Sequence, residues 1–208
     1  MKKHVVGALL FTTCFATTAL AEDAKTEEAK SWPKLTVQPG LQMWQPMYAD
    51  SNGVVAMKPT IGLVTKVHYA LTDMFGFHVR GTYGVNKMED ATGTSNYSAW
   101  AAGVGADFFI AISDKAMWYN TMGLGYGSST ADINDKKSSL ATMGAYFVTG
   151  FDVKVFGNMG VWMDWGCQVV GPTSGTVTIT DISGNSSNKD VSTYHINPLG
   201  AGGMRISF

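Results

Sequence analysis

From residue 61 to 85 the chain alternates apolar and polar side chains, with one three-residue interruption. Ile61, Leu63, Thr65, Val67, Tyr69 and Leu71 fall on one face; Gly62, Val64, Lys66, His68 and Ala70 fall on the other. After Thr72-Asp73-Met74, Phe75, Phe77, Val79, Tyr83 and Val85 alternate with Gly76, His78, Arg80, Thr82 and Gly84. A period of two belongs to the β-strand, because successive side chains leave opposite sides of a pleated backbone. Three residues between two such runs leave no room for a crossover helix, so the two strands must pair antiparallel.

The same pattern recurs along the chain. It predicts strands over Leu35–Tyr48, Ile61–Leu71, Phe75–Val85, Ser98–Ile112, Ala116–Tyr126, Leu140–Val155, Met159–Val169 and Thr193–Phe208. The first is the least regular, since Pro39 and Pro46 each remove a backbone donor. Asn120 breaks an otherwise apolar outward row. Connections alternate: short at 72–74, 113–115 and 156–158, long at 49–58, 86–97, 127–139 and 170–192. Within the longest, Thr176, Thr178 and Thr180 alternate weakly before a turn expected at Gly184 to Asn188, so a hairpin projecting beyond the wall is expected there. An even number of strands with alternating short and long connections is the pattern of a transmembrane barrel. The expected fold is all-β: an eight-stranded antiparallel up-and-down transmembrane β-barrel.

Polarity decides which face looks outward. One face collects Phe, Trp, Tyr, Val and Leu; the other collects Gly, Lys, Arg, Asp, His and Gln. A soluble barrel would turn its apolar face inward, whereas a lipid-facing barrel turns it out and keeps a polar lumen. Charged residues make up only 15% of the chain, against roughly a quarter in soluble domains, which favours the lipid-facing arrangement. No segment after the first twenty residues carries the ~18 apolar residues of a membrane helix.

Those first residues form an export signal. Lys2 and Lys3 precede the largely apolar Val5–Leu20, and Ala19-Leu20-Ala21 is a small-x-small cleavage site. The expected organisation is a signal peptide at 1–21, a flexible periplasmic leader at 22–34 and the barrel at 35–208. A lipidated Cys14 is the weaker alternative. Cleavage leaves Cys167 as the one remaining thiol, so no disulfide forms within the mature chain. A formal net charge of −1 offers no basic stripe for nucleic acid.

Met204, Ile206 and Phe208 end the chain with alternate apolar residues and a terminal aromatic. This resembles the signal by which the barrel-assembly machinery recognises bacterial outer-membrane proteins. Over Leu35 to Phe208 the chain is similar to small eight-stranded outer-membrane barrels of the OmpA transmembrane domain, OmpX, opacity and OmpW kinds. The resemblance implies a place in the bacterial outer membrane, among outer-membrane lipid and lipopolysaccharide. It also implies assembly by that machinery and a possible protein partner at the extracellular loops.

The inward parity positions predict a lumen charge network of Lys66, Arg80, Asp107, Asp152, Lys154, Asp164 and Arg205, with lumen histidines His68, His78 and His195. Buried charges need partners, and eight strands leave a lumen just wide enough for side chains to fill. A network plugging the lumen is therefore expected, with Trp44 and Trp162 helping to fill it. No catalytic, cofactor or metal motif stands out, and no cofactor is expected. A structural or surface-interaction role ranks first, a narrow channel or carrier for small solutes second, and a lipid-modifying enzyme third. Outward Tyr69, Tyr83, Trp100, Trp118, Tyr126, Trp165 and Tyr194 suit interfacial girdles.

Overall fold

A computed structural model describes residues 33–50, 54–90, 93–133, 136–174 and 176–208. The expected signal peptide and residues 22–32 of the expected leader lie outside the described residues. Twelve strands follow one another in the chain: β1 (Leu35–Trp44), β2 (Met47–Ala49), β3 (Val55–Met57), β4 (Thr60–Ala70), β5 (Phe75–Asp90) and β6 (Gly93–Ala111), then β7 (Ala116–Ile133), β8 (Lys136–Phe156), β9 (Met159–Pro172), β10 (Thr176–Thr180), β11 (Ser186–Asp190) and β12 (His195–Ser207).

Eight of these close a ring. Each pairs antiparallel with its neighbours in the cyclic order β1-β4-β5-β6-β7-β8-β9-β12, and β12 returns to β1. Closure satisfies the backbone of every wall strand, which is what a span through lipid requires. At the seam, Phe208 donates its backbone N–H to Leu35 O at 2.9 Å, and Ser207 donates to Asn158 O at 2.9 Å.

The three short connections are tight turns. The Thr72 hydroxyl accepts from the Phe75 N–H at 3.0 Å, and the Ser113 hydroxyl accepts from the Ala116 N–H at 3.1 Å. Gly157 takes a φ of 52°, a left-handed conformation that a side chain would strain.

Outward positions carry an apolar belt. Leu41, Ile61, Leu63, Val79, Val104, Leu124, Met163 and Met204 are all more than half exposed. A soluble monomer rarely leaves so continuous an apolar surface uncovered. The eleven residues of β4, at ~3.3 Å each and a ~40° tilt, rise ~28 Å, close to the ~25 Å band of such barrels. Aromatic pairs rim the belt: Trp100 with Tyr126 at 5.7 Å near the long-hairpin end, and Tyr69 with Phe77 at 5.3 Å near the short-turn end.

Three expectations about strand ends need correction. The first strand stops at Trp44 rather than Tyr48. Pro46 supplies no N–H to a ladder, and the chain leaves the wall there to form the β2–β3 hairpin. That hairpin is no loose loop: Met47, Tyr48 and Ala49 are almost wholly buried against β7 and β8. The Ser129 hydroxyl donates to Met47 O, and the Ser138 hydroxyl donates to Ala49 O.

Most of 86–97 and 127–139, expected as loops, continue the strands. β5, β6, β7 and β8 pair without interruption well past the apolar belt. Finally, 170–192 contains the β10–β11 hairpin, with β10 running alongside the start of β8 through Thr178, Ile179 and Thr180. Its turn spans Asp181 to Asn185, three residues earlier than expected. The Asp181 carboxylate accepts the backbone N–H groups of Ser183 and Asn185 at 2.8 and 2.9 Å. Gly184 carries a φ of 82°, which settles the turn there.

Candidate functional site

The candidate site is the polar interior of the wall, where inward side chains of all eight barrel strands converge. β4 contributes Lys66 and His68, and β5 places Arg80 opposite Lys66 and His78 opposite His68. Asp107 enters from β6, Asp152 from β8, Asp164 from β9 and Arg205 from β12. Each of these eight residues is buried, at 6% exposure or less. An isolated ion in such a place costs several kcal/mol, so partners decide whether it is tolerated.

Among the described residues, two ion pairs cross the interior. The Lys66 ammonium donates to Asp164 Oδ2 at 2.6 Å and to the Tyr119 hydroxyl at 3.1 Å. It also lies 3.7 Å from the centre of the Trp162 ring, where the face of the indole attracts a cation. The Trp162 Nε1–H donates to Pro39 O at 3.2 Å, which fixes the ring. Arg205 donates to Asp152 Oδ1 at 2.7 Å, and Asp152 Oδ2 accepts from the Gln38 amide at 2.8 Å.

Asp107 holds the two histidines. Its Oδ2 lies 2.6 Å from His68 Nδ1; its Oδ1 lies 2.9 Å from His78 Nδ1 and accepts from the Thr121 hydroxyl at 2.6 Å. Beyond the histidines, His78 Nε2 meets the Tyr146 hydroxyl at 2.5 Å, and His68 Nε2 meets Gln38 Oε1 at 3.0 Å. Gln38 points its amide N–H at Asp152, so its carbonyl faces His68. His68 thus sits between the Asp107 carboxylate and the Gln38 side-chain amide.

The potential ligand atoms of His68, His78 and Asp107 fall within 4.8 Å of one another. A metal ion there would have to replace both histidine–carboxylate hydrogen bonds.

Arg80 differs from the other cations. Its Nη2 donates to Gln42 Oε1 at 2.6 Å, an oxygen that also accepts from the Thr82 hydroxyl at 3.0 Å. No carboxylate among the described residues pairs with it. Above it lies a cavity of about 70 Å³, bordered by Trp44 and Met47 toward the β2–β3 hairpin. Higher still, Trp44, Tyr48, Tyr97, Ala99, Ala131 and Leu199 form an apolar cluster inside the wall. Tyr48 and Tyr97 meet edge-on at 5.0 Å.

Two expected members of the lumen set stand apart. Lys154 is exposed: it lies next to the Phe156–Met159 turn, where a bulge interrupts the β8–β9 ladder, so its ammonium reaches water. His195 is half-buried opposite Val170 at the long-hairpin end, away from His68 and His78. The sequence reading also missed Gln38, Gln42, Tyr119 and Thr121, which supply the neutral partners. All four lie at inward parity positions, so parity was the available signal; attention to charged residues alone passed over it.

The inward glycines have a use in this arrangement. A methyl group at Gly105 would lie 2.6 Å from Cε1 of His78, and one at Gly123 would lie 2.5 Å from the Tyr146 ring. Small residues on β6 and β7 therefore make room for the rings of β5 and β8.

No protein-family model matches the chain, and no curated protein matches it by sequence. Among solved structures it is similar to Neisserial surface protein A, at 17% identity and a TM-score of 0.55, over 86% of this chain and 100% of that one. That similarity, with the closed eight-strand ring, decides the class. The fold is that of a small outer-membrane β-barrel. Ail, the attachment invasion locus protein of Yersinia pestis, matches the barrel at 13% identity and a TM-score of 0.49, over 83% of this chain and 97% of its own. The N-terminal barrel domain of Pseudomonas aeruginosa OprF matches it at 12% identity and a TM-score of 0.43, over 86% of this chain and 100% of that one.

Proposed function

We propose that this outer-membrane barrel acts through the β-structure it raises above the membrane, on a lumen closed by its own side chains. The observation that carries this reading is the set of buried contacts joining non-adjacent strands. Lys66 to Asp164 links β4 to β9, and His68 to Asp107 links β4 to β6; between these spans, Gln38 joins His68 to Asp152. A wide water path would need these side chains to stand apart, yet each is within hydrogen-bond reach of another. The β2–β3 hairpin packed across the long-hairpin end adds a second obstruction.

In this reading the short turns face the periplasm and the long hairpins face outward. The belt meets outer-membrane lipid, and the Trp100–Tyr126 pair at its long-hairpin end lies at the level of the lipopolysaccharide headgroups. Met204 and Phe208, both exposed, and the half-buried Ile206 present the terminal assembly signal on the outside of the wall. The extended β5–β8 and β10–β11 hairpins would be the surface offered to protein partners.

Planar-bilayer recording tests the closed lumen. The expected result is no reproducible channel opening from the full chain. Openings that disappear on Arg80→Gln or Asp152→Asn would overturn the reading in favour of a narrow channel.

A further inference from the structure

We propose that the cavity above Arg80 is a binding site for a small organic acid, with the ligand's carboxylate on Arg80 and its apolar body beneath Trp44. The first observation is an imbalance of pairing. The described interior holds three acids, and each is engaged: Asp164 by Lys66, Asp152 by Arg205, and Asp107 by two histidines and Thr121. Arg80 is left with neutral partners, the Gln42 carbonyl and the face of the Tyr146 ring 5.9 Å away, and its Nη1 is buried without a hydrogen-bond partner. A guanidinium is an obligate donor and cannot shed its charge, so an orphaned N–H there is costly unless an acceptor fills the space.

The second observation is independent of charge. Trp44 Nε1 is also buried without a partner, and Trp44 lines the same cavity. The two unsatisfied polar atoms on cavity-lining residues are thus both N–H donors; no unsatisfied acceptor accompanies them. Donors without acceptors favour an anion over a cation or a sugar. The remaining walls narrow the class further. Met47, Ala99 and Leu199 are buried apolar residues of the lining, which suits a hydrocarbon body better than a bare inorganic ion. A volume of about 70 Å³ holds on the order of five waters, enough for an acid of about five heavy atoms, the size of propionate.

Propionate is the probe. The full chain, folded in detergent micelles and checked by its gel shift on boiling, would be titrated by calorimetry and by tryptophan fluorescence. Saturable propionate binding is expected, with 1-propanol and formate each weaker by about tenfold or more. Arg80→Gln should weaken propionate by a similar factor. Ala101→Leu should do the same, since Ala101 borders the cavity and the larger side chain narrows it without touching the charge. Should Arg80→Gln fail to fold, Ala101→Leu and the 1-propanol comparison decide.

Absence of saturable binding, equal binding of 1-propanol, equal binding of formate, or indifference to Ala101→Leu would each overturn the proposal. Failure here leaves the surface-interaction reading intact, because that reading needs no lumen ligand. Conductance alone would not reproduce an Arg80-dependent affinity for propionate.

Discussion

Along the belt, Leu63, Val79, Val104 and Met163 point away from the barrel axis while Lys66, Asp107, Asp152 and Arg205 point toward it. A few residues higher, strands of the same sheet turn Asn96, Thr178 and Ser139 outward and bury Tyr97, Leu140, Val177 and Ile179. One wall thus carries two opposite polarity rules. The lower region is stabilised by partners for buried charge, and its apolar surface is free to meet lipid. The upper region has an ordinary apolar core, formed where Met47 and Ala49 of the β2–β3 hairpin meet Leu140, Val177 and Ile179. The lesson is that backbone geometry does not decide which face is apolar. The solvent outside the wall does.

The contrast is most sharply broken by removing one partner of a lower-region ion pair. Asp164→Leu leaves the Lys66 ammonium buried against Tyr119 and Trp162, and should destabilise the barrel by ~3–5 kcal/mol. Urea unfolding in micelles measures this. The double variant Lys66→Met with Asp164→Leu should recover all but ~1 kcal/mol, since an apolar pair of similar volume carries no desolvation cost. If the double variant were as unstable as the single, the pair would not be what stabilises this layer.

Next in size is a charge on each outward face. Val104→Arg, in the belt, should cost ~2–4 kcal/mol in a bilayer. Thr178→Arg, outward on β10, should change stability by less than ~0.5 kcal/mol. Equal effects would erase the proposed boundary between the two regions.

The upper core should respond as a soluble core does. Leu140→Ala is expected to cost ~2–3 kcal/mol, felt locally. Amide exchange in β2, β3 and β10 should quicken while that of β4 and β5 below Tyr83 stays slow. Uniform loosening would mean that the two regions unfold as one unit.

The smallest effect concerns the β10–β11 turn. The backbone N–H of Asn185, with its side chain and the Ser183 N–H, holds the Asp181 carboxyl below the usual carboxylate range. A group depressed in the folded state contributes stability that is present above its unfolded pKa, about 4, and is lost as pH falls through the lower folded value. Protection of the Ser183 and Asn185 amides, taken relative to their intrinsic exchange rates, should therefore fall only below pH ~4, and Asp181→Ala should remove that pH dependence.

Much of the lower region could be read from the chain. Ile61, Leu63 and Tyr69 alternate with Lys66 and His68 because a strand between lipid and lumen exposes its two faces to different media, and that difference is written into every second residue. The upper region was harder to read. In Ser128, Ser129 and Thr130, or Ser138 and Ser139, both faces carry small polar residues, so no period marks the strand; pairing with a neighbour carries it on. Pro46 signalled that the first strand would end, but not that the chain beyond it would turn inward.

For the interior, parity alone placed Lys66, Arg80, Asp107, Asp152, Asp164 and Arg205 on one surface. Which of them pair could not follow from parity, since partners such as Lys66 and Asp164 lie 98 positions apart and meet only because the sheet closes. Closure also left Arg80 without an ion pair among the described residues, with an orphaned donor beside a cavity. Local alternation is a property of one strand and its surroundings, so the sequence by itself determined the barrel, its belt and its inward charges. The pairing of those charges depends on the height of strands opposite one another across the lumen, and only the tertiary structure decided that.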